Sequence, residues 1–234
     1  VHFVNGKVNN SDLIVGNTLE DTAIKSYFLW KGESLNKNTY TLLDIMNIDT
    51  TKLLESEINK LTGKYIRGLY SGGTLADETM ALLSKEICPI WSPTPLDPSY
   101  TLSDPNMSKE HTVVDMGDDV FTRGRPHPMI DFTMRKERLI KEYNDPNVAI
   151  ILADIVLVYG SHMNPGGEMA EAINIARQSA NKYTSVIVNI CGTYDDLQNY
   201  ETQKKLLEES GAIVFPSNAS AVNFAIKLYR GLKS

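Results

Sequence analysis

The feature that most constrains the fold is a nearly continuous apolar run over residues 149–158, Ala-Ile-Ile-Leu-Ala-Asp-Ile-Val-Leu-Val. Such a run is typical of a central parallel strand, because helices cover both faces of that strand. From residue 64 onward, other short apolar segments alternate with amphipathic segments that are long enough for helices. This alternation predicts βαβ units and a parallel sheet.

The second part of the chain is expected to contain five strands and five helices. The strands are predicted at residues 65–70, 112–115, 148–158, 185–191 and 212–215. The helices are predicted at residues 74–87, 131–143, 165–180, 199–210 and 220–232. Together they favour an α/β fold with a flavodoxin-like, doubly wound parallel sheet. The five prolines between residues 88 and 110 predict an irregular but ordered excursion.

The first part of the chain lacks this regular alternation. We interpret residues 1–35 as the end of a preceding α/β domain, 36–63 as a connector and 64–234 as the main domain. The local elements expected before residue 64 are strands at 1–4 and 13–16 and helices at 18–30, with Thr18 as N-cap, and 50–61. The start at Val1 rather than Met suggests a fragment of a longer polypeptide.

Composition and charge argue against several classes of function. The 234 residues are 42% hydrophobic and 22% charged, which is typical of a globular protein. A net charge of −6 argues against nucleic acid as a partner. We found neither a signal peptide nor an apolar run of the roughly 20 residues that cross a membrane, so a cytoplasmic location is expected. Cys88 and Cys191 have no metal or redox spacing and indicate reduced thiols.

Charged residues are concentrated directly after the predicted strand at 112–115. Asp115, Asp118 and Asp119 are expected at its carboxyl end, where open α/β sheets bind their ligands. Arg123 and Arg125 offer planar guanidinium groups that suit phosphate or carboxylate. We interpret the segment as a binding site for a phosphorylated anion. The alternatives are a loop of ion pairs and, ranked below the anion site, Mg²⁺ bound by the aspartates; we assign no metal ligand.

His127 lies between Pro126 and Pro128 in the same segment. The prolines restrict the local backbone, so the direction of the imidazole ring is largely set. His127 could accept a phosphoryl group, act as an acid or base, or hydrogen-bond a neighbouring carboxylate. We place it as the candidate catalytic residue and leave these three roles open.

Two glycine-bearing turns lead from predicted strands into predicted helices. The first contains Ser71, Gly72, Gly73 and Thr74, and the second contains Gly166 and Gly167. Glycines allow the backbone to approach a ligand, and the free N–H groups of a helix start attract an anion. The alternative is that both are plain helix-entry turns. The first turn lacks the Lys of a Walker A loop and the third Gly of a dinucleotide fingerprint.

The chain resembles the FdrA family, a branch of the succinyl-CoA synthetase superfamily of acid–thiol ligases. The resemblance rests on four stretches, namely Arg67-Gly-Leu-Tyr-Ser-Gly-Gly-Thr-Leu75, His111-Thr-Val-Val-Asp-Met-Gly-Asp-Asp119, Arg123-Gly-Arg-Pro-His-Pro-Met-Ile-Asp131, and Asp145-Pro-Asn-Val-Ala-Ile-Ile-Leu-Ala-Asp154 running on to Pro165-Gly-Gly-Glu168. The resemblance implies a domain similar to the C-terminal domain of the ligase β subunit.

The resemblance also implies a function. In the ligase relatives, the equivalent glycine turn faces a phosphohistidine carried by another domain, so residues 71–74 would face phosphate. Some FdrA-like proteins are implicated in allantoin breakdown as part of an oxamate carbamoyltransferase, which handles carbamoyl phosphate. Other domains or subunits of such a complex, an oligomeric state, and CoA or Mg²⁺ in the full-length enzyme are implied as well. The chain has no CoA-binding domain, ATP-grasp domain or established phosphohistidine motif, so complete ligase activity by this chain alone is not expected.

Two alternatives belong to other classes of function. The chain could be a non-catalytic assembly subunit, with the charged loop as an interface. It could also be a flavin carrier, which the topology alone suggests.

Overall fold

The structure is a computed structural model and describes residues 14–33 and 41–233. A five-stranded, all-parallel sheet forms its centre, with strand order β2-β1-β3-β4-β5. The strands are β1 (Tyr65–Tyr70), β2 (Thr112–Asp115), β3 (Val148–Val156), β4 (Ser185–Cys191) and β5 (Ile213–Phe215). This order confirms the predicted flavodoxin-like α/β fold.

Nine α-helices and one 3₁₀ helix lie within the described residues. They are α1 (Leu19–Trp30), α2 (Leu42–Ile45), α3 (Thr51–Ile58), α4 (Gly73–Leu83), α5 (Asp119–Thr122), α6 (Thr133–Asn144), α7 (Pro165–Ser179), α8 (Tyr200–Glu209), α9 (Asn218–Lys233) and the 3₁₀ helix Pro98–Tyr100. Helices α4 and α9 cover one face of the sheet, and α6, α7 and α8 cover the other. No helix of the described ranges is both long and apolar enough to span a bilayer.

Each face of the sheet buries its own apolar cluster, because side chains alternate along a strand. In β3, Ile150 and Leu152 pack toward α4 and α9, whereas Ile151 and Ala153 pack toward α6 and α7. The strand is buried from Val148 to Ile155, as expected for a central strand that is covered on both faces.

The ends of the predicted elements differ from those observed. The strand expected at 148–158 ends at Val156, and the helix expected at 74–87 covers Gly73–Leu83. The short helices α2 and α5 were not predicted, because four residues are too few to show a periodic pattern. The irregular segment 88–110 makes isolated bridges from Trp91 to Thr112 and from Ser92 to Thr101.

Helix α1 lies against the starts of α4 and α9. Its N-cap is Thr18, whose hydroxyl accepts the Asp21 N–H over 3.0 Å, as predicted. The Leu19 N–H donates to Glu78 of α4 over 2.7 Å. Residues 14–16 are not a strand, so that prediction is wrong, and the strand expected at 1–4 lies outside the described residues. The division into a preceding domain, a connector and a main domain stays a prediction.

Candidate functional site

The turn between β1 and α4 lies at the carboxyl edge of the sheet. Gly72 is the N-cap of α4 in extended backbone geometry, and no side chain caps this helix start. Gly72 and Gly73 are partly exposed, and Thr74 is exposed. The first N–H groups of a helix have no partner inside the helix, so an uncapped and accessible start can receive an anion.

A buried polar cluster of Ser71, Asp154 and Arg135 fixes the position of this turn. The Ser71 N–H donates to Asp154 Oδ1 over 2.9 Å, and the Ser71 hydroxyl donates to Asp154 Oδ2 over 2.5 Å. Arg135 completes the cluster, since its guanidinium donates to Asp154 Oδ1 over 2.8 Å. Ser71 is 0% exposed, and Asp154 and Arg135 are 1% exposed. Ser71 is therefore a structural anchor of the turn rather than a group that can reach a ligand.

Asp115 lies beside the start of α4. A Cβ atom at Gly73 would lie 3.1 Å from Asp115 Oδ2, and the other oxygen, Oδ1, accepts the Gly117 N–H over 2.8 Å. Burial raises the pKa of the Asp115 carboxyl, and the nearby Asp118 and Asp154 raise it further, whereas the Gly117 hydrogen bond lowers it. Asp115 therefore keeps its proton to a higher pH than an exposed aspartate.

The His127 side chain lies close to Gly117 and Asp115. A Cβ atom at Gly117 would lie 2.9 Å from His127 Nε2, 3.1 Å from Asp115 Oδ1 and 2.6 Å from the Ser71 carbonyl oxygen. The other ring nitrogen, Nδ1, accepts the Met129 N–H over 3.3 Å. Since an accepting Nδ1 carries no proton, the neutral ring holds its proton on Nε2, on the side of Asp115 and Gly117. This arrangement suits a hydrogen-bond donor better than a nucleophile.

Asp118 and Asp119 serve the local fold. The Asp118 side chain caps α5 by accepting the Val120 N–H over 2.9 Å, and Asp119 is exposed in the first turn of α5. Asp154, the other buried carboxylate nearby, is already bound by Ser71 and Arg135. In residues 14–33 and 41–233, no group of three or more His, Cys, Asp or Glu could hold a metal ion. The donor set does not fit Mg²⁺.

Arg123 and Arg125 are exposed on the loop between α5 and α6. None of the ion pairs found within the described part of the chain includes either arginine. The described contact of Arg125 is a long one, 4.0 Å from a guanidinium nitrogen to Met134 Sδ. The alternative of a loop of ion pairs is therefore not supported, and both guanidinium groups are open to a ligand.

The second glycine turn is built differently from the first. Pro165 begins α7, as predicted, but the Gly166 N–H donates to the Gln203 side chain over 2.8 Å. A Cβ atom at Gly166 would lie 2.7 Å from the Gln203 carbonyl oxygen, so this glycine allows α7 to approach α8. A Cβ atom at Gly167 would collide with Asn164. The nearest atoms around the Cβ positions of Gly166 and Gly167 belong to Gln203 and Asn164, not to residues 71–74.

Asp154 and Arg135 were missed by the sequence analysis as site residues. A signal was present for Asp154, because it is the one charged residue in the apolar run 149–158. A buried carboxylate needs a cationic partner, and this requirement could have prompted a search for a buried arginine. Nothing in the spacing of residues 135 and 154 shows that they meet.

Comparisons with known proteins agree with this architecture. The CoA-ligase family model matches residues 69–228. The chain is 37% identical over 204 residues to an uncharacterised protein of Escherichia coli (strain K12), YahF, covering 86% of this chain and 39% of that protein. The crystal structure of PH0766 from Pyrococcus horikoshii OT3 has a similar fold, with a TM-score of 0.52 and 16% identity.

The solved structure match covers 91% of this chain and 44% of PH0766. The chain thus spans less than half the length of both relatives. The family model covers well over half of this chain, including β2, β3, β4 and the start of α4. The protein therefore belongs to the CoA-ligase family of the succinyl-CoA synthetase superfamily.

Proposed function

We propose that this chain supplies the phosphate-binding part of an acid–thiol ligase-like enzyme. The observation that carries the proposal is the meeting of the uncapped α4 start with Asp115 and His127 around Gly117. The ligand is the phosphate of an acyl phosphate or of carbamoyl phosphate. Both are mixed anhydrides, so one site for the departing phosphate serves either.

The chemistry of the site follows from its donors. The backbone N–H groups of Gly73 and Thr74 and the dipole of α4 stabilise negative charge on the phosphate. The anchoring of Ser71 by Asp154 keeps the turn in place, so the donors need little reorganisation. His127 donates from Nε2, and the Asp115 carboxyl, whose pKa burial raises, favours the anion when it is protonated. Arg123 and Arg125 bind the outer phosphate oxygens or a substrate carboxylate.

A partner domain or subunit completes the reaction in this proposal. Large apolar side chains are exposed on the segments that follow β2, β3 and β4, at the same edge of the sheet. They are Val120, Ile130, Tyr159, Met163, Tyr194 and Leu197, and Tyr159 is 91% exposed. The proposal takes these exposed apolar groups as the surface that the partner covers. Any Mg²⁺ would be bound by the partner, because the described residues show no fitting metal site. The proposal assigns CoA to the partner as well.

The FdrA-like assignment belongs to the same proposal. It rests on the run Arg123-Gly-Arg-Pro-His-Pro-Met-Ile-Asp131, which lies beside the α4 start. In that case the chain takes part in an oxamate carbamoyltransferase-like reaction of allantoin breakdown. Carbamoyl phosphate would then be the ligand, and the exposed arginines would contact its phosphate.

The test is isothermal titration of the full chain with phosphate, carbamoyl phosphate and CoA. Parallel titrations use Gly73→Val, which places bulk against Asp115, and Arg125→Ala. Arg230→Ala is the matched control, because Arg230 is an exposed arginine near the far end of α9. We expect phosphate and carbamoyl phosphate to bind the wild type and the control, and to bind neither site variant. Equal binding by all four proteins contradicts the site.

The second candidate is a non-catalytic assembly domain, which the exposed apolar loops also favour. The same titration distinguishes the two candidate functions, because an assembly domain binds none of the three ligands. Binding of CoA alone, with no phosphate binding, likewise contradicts the proposed phosphate site.

A further inference from the structure

Hydrogen bonds join the segments that follow β2 and β3 at the carboxyl edge of the sheet. The β3 loop, residues 157–164, contains His162, whose N–H donates to the Met129 carbonyl oxygen over 2.8 Å. The Met129 N–H in turn donates to His127 Nδ1 over 3.3 Å. The β3 loop therefore holds the residue that keeps the His127 proton on Nε2.

Gln198 is a buried side chain that fixes the β3 loop. It lies in the segment that follows β4 and is 4% exposed. Its side-chain amide donates to the Val158 carbonyl oxygen over 2.9 Å and to the Ser161 hydroxyl over 3.0 Å, and it lies 3.5 Å from the His162 carbonyl oxygen. A buried donor that left these acceptors would find no water in their place, so the amide restrains the loop.

Gln198 is itself held by the neighbouring helices. The Gln203 side-chain amide of α8 donates to the Gln198 carbonyl oxygen over 2.8 Å, and Gln203 Oε1 accepts the Gly166 N–H of α7 over 2.8 Å. At the other end of the path, the His162 ring packs on Phe132 at the start of α6, with 5.6 Å between the ring centroids. Regular helices thus support the β3 loop on both sides.

We propose that Gln198 is a positioning residue of the proposed phosphate site, and that it acts through the β3 loop and Met129 to orient the His127 imidazole. The inference rests on the proposed function, in which His127 donates from Nε2. Without the Gln198 donors the β3 loop is released, and the Met129 N–H no longer stays aligned with Nδ1. The imidazole then turns or takes its other tautomer, and the anion loses a preorganised donor.

The test is Gln198→Met in the full chain, because methionine keeps the length of the side chain and has no N–H donor. Nitrogen-15 NMR of the His127 ring, without ligand and at a pH where the imidazole is neutral, reports the tautomer. The His127→Gln variant identifies the His127 signals by their loss. We expect the Nε2-protonated tautomer in the wild type and a mixture of tautomers in Gln198→Met. Phosphate should bind the variant about fivefold more weakly, which corresponds to one net hydrogen bond.

Ser161→Ala is a milder second variant, because it removes one acceptor of the Gln198 amide from the β3 loop. It should change the tautomer and the phosphate affinity in the same direction. Its effect should not add to that of Gln198→Met, since both act through one loop.

Ser185→Ala is the matched control. Ser185 is 0% exposed and donates to Glu57 over 2.7 Å at the start of β4, the opposite edge of the sheet from Gln198. Its loss should lower the stability of the protein while the His127 tautomer and the phosphate affinity stay as in the wild type.

The inference is overturned if Gln198→Met keeps both the wild-type tautomer and the wild-type phosphate affinity. It is equally overturned if Ser185→Ala changes both as much as Gln198→Met does, because general destabilisation then explains the effect. If the wild type binds no phosphate, the proposed function fails. The tautomer then decides alone whether Gln198 orients His127, and an unchanged tautomer overturns that role.

Discussion

Ser71 and Asp154 share two hydrogen bonds, from the Ser71 N–H over 2.9 Å and from its hydroxyl over 2.5 Å. They join the end of β1 to β3, the two neighbouring strands where the strand order changes direction. Ligands of open α/β sheets bind at this switch point. The pair thus fixes the backbone that begins α4, and Arg135 neutralises the buried carboxylate.

Replacing Arg135 by Met should strongly destabilise the protein. The change leaves the Asp154 carboxylate buried without a cation, which costs about 3–5 kcal/mol of unfolding free energy. Urea denaturation measures the loss. The double variant Arg135→Met, Asp154→Leu should recover part of it, because it removes both charges. If the double variant is less stable by the sum of both single losses, the two residues are not coupled.

Gly117→Ala should weaken phosphate binding. The new Cβ atom would lie 2.6 Å from the Ser71 carbonyl oxygen and 2.9 Å from His127 Nε2, so the turn or the imidazole must move. The expected loss of stability is about 1–3 kcal/mol, as for other overpacked positions. Calorimetric titration with phosphate measures the binding.

Gly124→Ala is the matched control for Gly117→Ala. Gly124 has a φ of +76° and no atom within 4 Å of its Cβ position, so the change strains the backbone but fills no space. We expect a small loss of stability with phosphate affinity retained. Similar loss of affinity in both variants contradicts the steric explanation.

Anion affinity should fall as the pH rises above the ordinary Asp pKa of 3.8. Burial raises the pKa of Asp115, so this carboxyl ionises at a higher pH than an exposed aspartate, and its negative charge then repels the anion. Sulfate is the suitable probe, since it keeps its charge over this range. Asp115→Asn should bind sulfate about tenfold more tightly at neutral pH, a difference of about 1.4 kcal/mol, and should flatten the pH dependence.

Asp118→Asn is the control for this pH effect, because asparagine can still cap α5. The Asp118→Asn variant should keep most of the dependence of sulfate affinity on pH. His127→Gln measures the contribution of the imidazole separately. A slope that is unchanged in Asp115→Asn contradicts the role of Asp115.

The stability of the protein should decline as the pH falls from about 6.5 to about 4. Burial, together with the nearby positive charges of Arg67 and Lys233, lowers the pKa of His111 from 6.5 to about 4. The unfolded chain therefore takes up the proton at a higher pH than the folded chain, so the stabilisation is complete above 6.5 and is lost on acidification. The loss from this group is about 3 kcal/mol.

Denaturation of His111→Gln over the same pH range checks this prediction. Glutamine can still accept the Ile66 N–H, which His111 Nδ1 accepts over 3.1 Å. We expect the variant to be less sensitive to pH than the wild type. Parallel curves for the two proteins contradict the assignment to His111.

The apolar periodicity of the chain determined the fold class and the positions of all five strands. A central strand such as β3 must be apolar on both faces, and this requirement is visible in the residues 149–158. The glycines at 72 and 73 and the aspartate at 115 also lie where parallel strands end, so their place at one edge followed from the topology alone.

Only the tertiary structure decided which polar groups meet. The pairing of Arg135 with Asp154 and of Gly166 with Gln203 joins residues 19 and 37 positions apart, and no local pattern encodes such contacts. The two glycine turns look alike in the sequence. In the structure, Gln203 of α8 lies against Gly166 in the second turn, whereas α8 does not cover Gly72 and Gly73 in the first turn. The physical reason is that local propensity depends on neighbours in the chain, whereas burial and hydrogen bonding depend on how the helices pack across the sheet.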